Sequence, residues 1–182
     1  MLFWFKSVQR RRQAQALYAE IVSHARRPEY YQAGAVPDTL DGRFDMISLV
    51  LALYLGAMDR LDAPAARDLA AAVEGLFFAD MDRGLRELGV GDLSVGKQVK
   101  RMAEAFYGRR AAYQSALAAE DEAAFSAALA RNVYRGAAPA PANADWLRGR
   151  AWALARRLQT APAKLLLAGP LPLASSEGEA TA

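Results

Sequence analysis

One stretch decides the fold of this chain: residues 37–58, which read PDTLDGRFDMISLVLALYLGAM. Its second part, Met46–Met58, is apolar at almost every position, so a helix formed by it has no polar face to turn towards water. A helix of this kind belongs at the centre of a bundle. The apolar run falls well short of the roughly 20 residues that cross a bilayer, which favours a buried core helix over a membrane span.

The sequence on both sides of this stretch repeats apolar residues at helical spacing. Upstream, Leu17, Ile21 and Ala25 predict a first helix over about residues 9–26, ended by Pro28. Downstream, similar stripes predict helices that begin near Pro64, Val95, Asp121 and Asn143, and a short last turn over 165–167. No alternating strand pattern interrupts them. We therefore predict an all-α, single-domain bundle of about six to seven helices.

Composition divides the chain into three parts. Residues 1–13 form an aromatic and basic N-terminal segment, and residues 14–168 form the helical domain. Residues 169–182 are rich in Pro, Ser, Gly, Glu and Ala, which predicts a disordered C-terminal tail.

The composition excludes several classes of site. The 182 residues are 53% hydrophobic, enough for a large core without metal or disulfide support. There is no cysteine and a single histidine, His24, which rules out thiol chemistry, cysteine zinc sites and two-histidine metal sites. The net charge of +3 is a mild excess that permits contact with anionic groups without requiring it. We expect no metal and no cofactor.

Catalytic constellations are weak. Glu20 and His24 lie one helical turn apart, which is the spacing of an ordinary surface pair. Asp80 and Asp82 are two positions apart on a helix and therefore point away from each other. No phosphate-binding loop motif is present. We therefore assign no catalytic residue.

Two segments carry candidate partner-binding residues. The first, residues 37–46, places charge at the mouth of the most apolar helix, where it either caps and pairs or forms the polar rim of a docking site. The second, residues 80–109, joins two helices through closely spaced glycines and carries a basic stripe with aromatic residues, which is either a solvated face or a contact for protein or RNA. The candidates are Asp38, Asp41, Arg43, Phe44, Asp45, Met46, Asp80, Asp82, Arg86, Lys97, Lys100, Arg101 and Tyr107.

The N-terminal segment is a candidate membrane-interface site. Aromatic rings sit well among lipid headgroups and arginines attract anionic lipid. The alternative is that the rings dock on the core or form an oligomer contact. The residues concerned are Phe3, Trp4, Phe5, Arg10, Arg11 and Arg12.

The segments 37–46 and 80–109, together with LYAEIVSHARRP over residues 17–28, resemble the signature stretches of the ubiquinol–cytochrome c chaperone family, the cytochrome b assembly factors of respiratory complex III. The similarity extends over roughly residues 14–135. The resemblance implies a non-enzymatic chaperone that holds newly made cytochrome b until haem and partner subunits are in place. It also implies that cytochrome b is the client, and it leaves a ribosome contact or a small partner subunit open.

Other expectations follow from composition. Richness in alanine and arginine is typical of a bacterial protein. We expect it in the cytoplasm, peripheral to the inner face of the cytoplasmic membrane. We expect no DNA partner. Two alternative functions stay open from the residues alone. One is a helical enzyme acting on an isoprenoid or other apolar substrate, and the other is a ribosome- or RNA-binding helical module.

Overall fold

A computed structural model describes residues 2–137 and 139–173, with side chains from residue 8 onwards except at position 93. All regular structure in these residues is helical. The helices are α1 (Leu2–Ala25), α2 (Pro28–Gln32), α3 (Leu40–Asp59), α4 (Pro64–Glu87), α5 (Asp92–Ala118), α6 (Glu122–Asn132), α7 (Pro141–Thr160) and α8 (Ala163–Ala168). The predicted all-α helical bundle is confirmed.

Helix α3 is the centre of the bundle. It packs against α1, α4, α5, α7 and α8, because it is apolar nearly all round. The run from Asp45 to Leu55 is buried without interruption. Its tyrosine, Tyr54, is completely buried and donates a hydrogen bond to the carbonyl oxygen of Leu166 in α8 at 3.0 Å. The sequence prediction of a central α3 is therefore confirmed.

The helix ends follow local chemistry. Thr39 caps α3, since its side-chain oxygen accepts a hydrogen bond from the Gly42 nitrogen at 3.1 Å. Asp121 caps α6 in the same way through the Ala124 nitrogen at 2.9 Å. Gly89 follows the end of α4 with φ +81°, a left-handed conformation that glycine adopts without strain. Of these three boundaries, the start of α6 at Asp121 is the one given in the sequence analysis, and it is confirmed.

Some boundaries differ from the expectations. Pro28 was predicted only as the end of the first helix, yet it also begins the short helix α2, because proline is tolerated in a first turn. Helix α7 begins at Pro141 for the same reason and not at Asn143. Residues 169–173 were assigned to the tail, yet Leu171 and Leu173 are only 7% and 6% exposed and pack against the core.

His24 and Glu20 do not form the surface pair that their spacing suggested. His24 is buried, and its Nε2 lies 2.6 Å from the Tyr30 hydroxyl oxygen. Burial, with help from the nearby Arg27 and Arg157 charges, lowers the pKa of His24 to about 4. Glu20 instead accepts a hydrogen bond from the backbone nitrogen of Leu171 at 2.6 Å.

Candidate partner-binding groove

A groove opens where the N-terminal half of α3 meets the C-terminal part of α4 and the middle of α5. Its volume is about 660 Å³, within the roughly 300–1,000 Å³ that binding pockets usually enclose. Side chains of all three helices form its apolar wall. They are Leu40, Phe44, Ile47, Met81, Leu85, Leu88, Met102 and Ala105.

Two leucines in this wall are unusually exposed. Leu40 and Leu88 each have 64% of their surface in solvent. Among the described residues, the next most exposed large apolar side chain is Tyr107 on α5, at 49%. Exposed apolar surface that gathers at one concave place marks an interaction site better than scattered single residues do.

The rim of the groove is rich in arginine. Six guanidinium groups stand against three carboxylates, so the groove carries a surplus of positive charge in a chain whose net formal charge is +3. The arginines are Arg26, Arg43, Arg83, Arg101, Arg109 and Arg135, and the acids are Asp41, Asp80 and Glu87.

A buried carboxylate holds two of these arginines. The side chain of Asp45 is 1% exposed, and its Oδ1 lies 2.7 Å from Arg109 Nη1. Arg135 Nε donates to Asp45 Oδ2 at 2.8 Å, and Arg135 Nη1 donates to Asp41 Oδ2 at 2.7 Å. Hydrogen bonding to Asp45 raises the pKa of Arg135 above its usual value.

The same carboxylate fixes how Arg109 meets the wall. The guanidinium carbon of Arg109 lies 5.4 Å from the centroid of the Phe44 ring, a cation–π distance. Arg109 Nη1 is buried and makes an ion pair with Asp45, although it is not aligned for a hydrogen bond with any side chain in the described part of the chain. Asp45 therefore orients the rim from beneath.

The wall formed by α4 is held by two further contacts. Arg86 Nε donates to Asp82 Oδ2 at 2.7 Å, and the same guanidinium donates to Asp92 at the start of α5, which ties the two helices together. At the rim itself, the Tyr18 hydroxyl of α1 donates to Asp80 Oδ2 at 3.1 Å. Burial and the neighbouring Asp80 charge raise the pKa of Tyr18.

An aromatic cluster backs the groove. Phe44 stacks on Phe77 with ring centroids 5.6 Å apart, and Phe77 contacts Phe106 at 5.1 Å. Phe78 and Tyr107 extend the cluster to the outer side of α5. Ring pairs of this kind stabilise a core beyond the apolar area that they bury, so the cluster behind the groove resists rearrangement.

The structure brings part of the predicted site together. Asp41, Arg43, Phe44, Asp80 and Arg101 line the groove. Asp45 and Met46 are buried and support the surface from below instead of forming it. The remaining candidates lie outside the lining: Asp38, Asp82, Arg86, Lys97, Lys100 and Tyr107.

The glycine-rich connection does not form an anion-binding loop around Lys97. Gly89 ends α4 and Gly91 caps α5, while Gly96 and Lys97 already lie inside α5. Lys97, Lys100 and Arg101 are all exposed, as a shared helix face requires, and of these three Arg101 lines the groove.

Sequence reasoning missed several lining residues. Leu88 was not singled out, and it is exposed at the helix end. Arg135 follows α6 and reaches Asp45 across 90 positions of sequence, which no local pattern signals. The sequence did offer a signal for Arg109, because this residue is the last one of the segment 80–109.

The N-terminal candidates are only partly described. The side chains of Phe3, Trp4 and Phe5 lie outside the described residues, although the backbone of this segment belongs to α1. Arg10 makes an ion pair with Asp68 of α4 at 3.0 Å, while Arg11 and Arg12 are exposed. No helix within the described residues has the length and hydropathy that crossing a bilayer requires. The described part of the chain contains no group of three or more metal-ligating side chains.

Comparison with known proteins gives two matches. Residues 32–171 match the family described as ubiquinol-cytochrome C chaperone. The crystal structure of the Cbp3 homolog from Brucella abortus is similar to this chain with a TM-score of 0.83 and 37% sequence identity, over 93% of each chain. No curated protein matches.

Proposed function

The chain belongs to the ubiquinol-cytochrome C chaperone family, and we propose that it is a non-enzymatic assembly chaperone that binds newly made cytochrome b during biogenesis of the ubiquinol–cytochrome c reductase complex. The observation that carries the proposal is the family match, which spans most of the helical bundle and every residue of the groove lining except Arg26. A chaperone role needs a surface for another polypeptide.

The groove supports this role on physical grounds. A client with membrane-spanning helices exposes apolar surface that water disfavours by about 25 cal/mol for each Å². Leu40 and Leu88 provide apolar surface that can cover the client. The arginines of the rim stay hydrated, which keeps other apolar surfaces from packing around them. Binding there would shield the client without any bond being made or broken.

The proposal includes a peripheral position at the inner face of the cytoplasmic membrane. A client that inserts into the bilayer is met most readily by a chaperone held near the lipid surface. The exposed Arg11 and Arg12, beside the aromatic residues of the same segment, suit anionic headgroups. This attachment would leave the groove, on other helices, available to the client.

The test is recovery of the client. The tagged full-length chain is purified from gently solubilised membranes of cells in respiratory growth, and bound proteins are identified by mass spectrometry. We expect cytochrome b among them, and a reduced level of assembled ubiquinol–cytochrome c reductase in cells without the gene. Normal accumulation of the complex in such cells, with no cytochrome b recovered, would refute the proposal.

A further inference from the structure

We infer that the groove recognises an acid-flanked amphipathic helix: a client segment with leucine-sized side chains on one face and carboxylates along both edges of that face. The inference rests on the proposed function and specifies the chemistry of the segment that would be bound. It follows from the apolar wall, the charge of the rim and the pairing state of individual arginines.

The shape and composition of the groove suit a helix. Its wall comes from three helices, α3, α4 and α5. The exposed Leu40 is the first residue of α3, and the exposed Leu88 directly follows α4. A helix presents apolar anchors at positions i, i+3, i+4 and i+7, which together form a ridge that a groove between helices can take. An extended strand would need an unpaired sheet edge to bind, and the described residues form no sheet.

The rim selects negative charge. Arg26 and Arg101 make no ion pair with any side chain that the structure describes, and Arg83 reaches Asp80 at 3.5 Å. These three arginines belong to three different parts of the fold, directly after α1, on α4 and on α5, so they surround the apolar wall. Carboxylates on both edges of a bound helix would meet them.

The other rim arginines are already committed. Arg109 and Arg135 are held by Asp45, and Arg43 Nε donates to Asp38 at 2.7 Å. The rim therefore separates into arginines that shape the groove and arginines that lack a partner. The second set, Arg26 and Arg101, is the one that an acidic client would neutralise.

A lipid surface fits the groove less well than a helix does. A bilayer is flat on this scale, and only a convex object reaches a recessed wall. The carboxylates Asp41 and Glu87 are exposed in the rim, where they would face anionic headgroups at close range. A helix can place its carboxylates opposite the arginines and leave these two acids in water.

The experiment uses the full chain and a labelled synthetic helical peptide with leucines at i, i+3, i+4 and i+7 flanked by glutamates. A second peptide carries lysines in place of the glutamates. Binding is followed by fluorescence anisotropy. The test variant is R26E/R101E. Its matched control is R131E/K164E, which makes the same change in charge on exposed residues outside the groove lining.

We expect the glutamate peptide to bind at least about tenfold more tightly than the lysine peptide, a difference of about 1.4 kcal/mol. R26E/R101E should weaken binding of the glutamate peptide by at least about tenfold, and R131E/K164E by less than about threefold. Equal losses in the two variants, or equal affinity for the two peptides, would overturn the inference. So would unchanged peptide binding in R26E/R101E together with lost binding to phosphatidylglycerol vesicles, which would make the rim a lipid contact.

This result is separable from the proposed function. If cytochrome b is recovered equally well with the full chain and with R26E/R101E, the chaperone role stands and the acid-flanked helix is wrong. If the full chain recovers no cytochrome b, the proposed function fails, whatever the peptides show. Circular dichroism and thermal unfolding of both variants establish that each is folded before binding is compared.

Discussion

The two ends of α3 differ in how the chain covers them. At the C-terminal end, α8 closes over the helix: the Tyr54 hydroxyl donates to the Leu166 carbonyl oxygen, and Arg60 Nη2 donates to the Ala161 carbonyl oxygen at 2.8 Å. At the N-terminal end, Leu40 stays 64% exposed in a groove. A single apolar helix thus has one end completed by its own chain and one end that the described residues leave open.

The difference shows how a bundle divides stability from recognition. The closed end buries apolar surface and satisfies its polar groups within the chain, so its residues contribute mainly to folding. The open end keeps its apolar side chains in water at a cost in stability, and it surrounds them with charge, which limits non-specific association. Four experiments follow, given from the largest expected effect to the smallest.

Asp45→Asn should have the largest effect, because it breaks the contact that organises the open end. The substitution leaves Arg109, whose side chain is 14% exposed, without its buried counter-charge. Removing one member of a buried ion pair typically costs about 3–5 kcal/mol, and we expect a loss of this size in urea unfolding. Asp38, the exposed ion-pair partner of Arg43, offers a control, since Asp38→Asn should hardly change the free energy of unfolding. Similar small effects for both would show that Asp45 does not organise the rim.

Leu166→Ala and Leu88→Ala compare the ends directly. Leu166 is 0% exposed at the closed end, so its truncation leaves a cavity that should cost about 2–5 kcal/mol. Leu88 is 64% exposed in the groove, and its truncation should change the free energy of unfolding by less than about 0.5 kcal/mol. In the peptide assay the order should reverse, with Leu88→Ala the weaker binder. Equal stability losses would remove the distinction between the two ends.

Stability should also depend on pH through His24, which is buried beside Tyr30. Its pKa is about 4 in the folded chain, mainly because of burial, against about 6.5 when unfolded. The unfolded state therefore binds the proton first. Stability should fall as pH drops from about 6.5 towards 4, by up to about 3 kcal/mol from this group, and should not depend on it above that range.

His24→Gln isolates this contribution. The variant loses the titrating ring while carboxylates elsewhere titrate as before, so the difference between the two pH profiles reports His24 alone. We expect the variant to be less stable at pH 7, because the contact with Tyr30 is altered, and to lose less stability on acidification. Parallel profiles from pH 7 to 4 would contradict a buried, neutral histidine.

Deletion of residues 1–6 should have the smallest effect on the bundle and a distinct effect on lipid binding. The segment precedes the first buried side chain of α1 that the structure describes, Ala14, so thermal unfolding should change little. Co-sedimentation with anionic vesicles should fall a few-fold, because aromatic side chains leave the interface. R11Q/R12Q provides a comparison that removes charge alone. Unchanged sedimentation of the deletion would refute the membrane contact.

Local patterns account for most of the fold. Helical spacing predicted the six longer helices, and the start of α6 at Asp121 was identified because an N-cap interaction spans only three residues. The helix α2 was missed because Pro28 signals both the end of one helix and the first turn of another.

The groove was predictable only in part. Arg43 and Phe44 lie in a segment whose charge stands out beside an apolar run. Leu40 and Leu88 gave no such signal, because periodicity identifies a stripe but not which of its members the neighbouring helices cover. The long-range contact of Arg135 with Asp45 depends on how α6 packs, which no residue near either position encodes.

The amino-acid sequence by itself determined the helical class, the central place of α3 and the family to which the chain is similar, because all three depend on residue types at short, regular spacing. Tertiary structure alone decided which end of α3 stays open and which arginines keep a free charge. Coverage and pairing are set by contacts between residues distant in the chain, and their geometry exists only once the helices have packed.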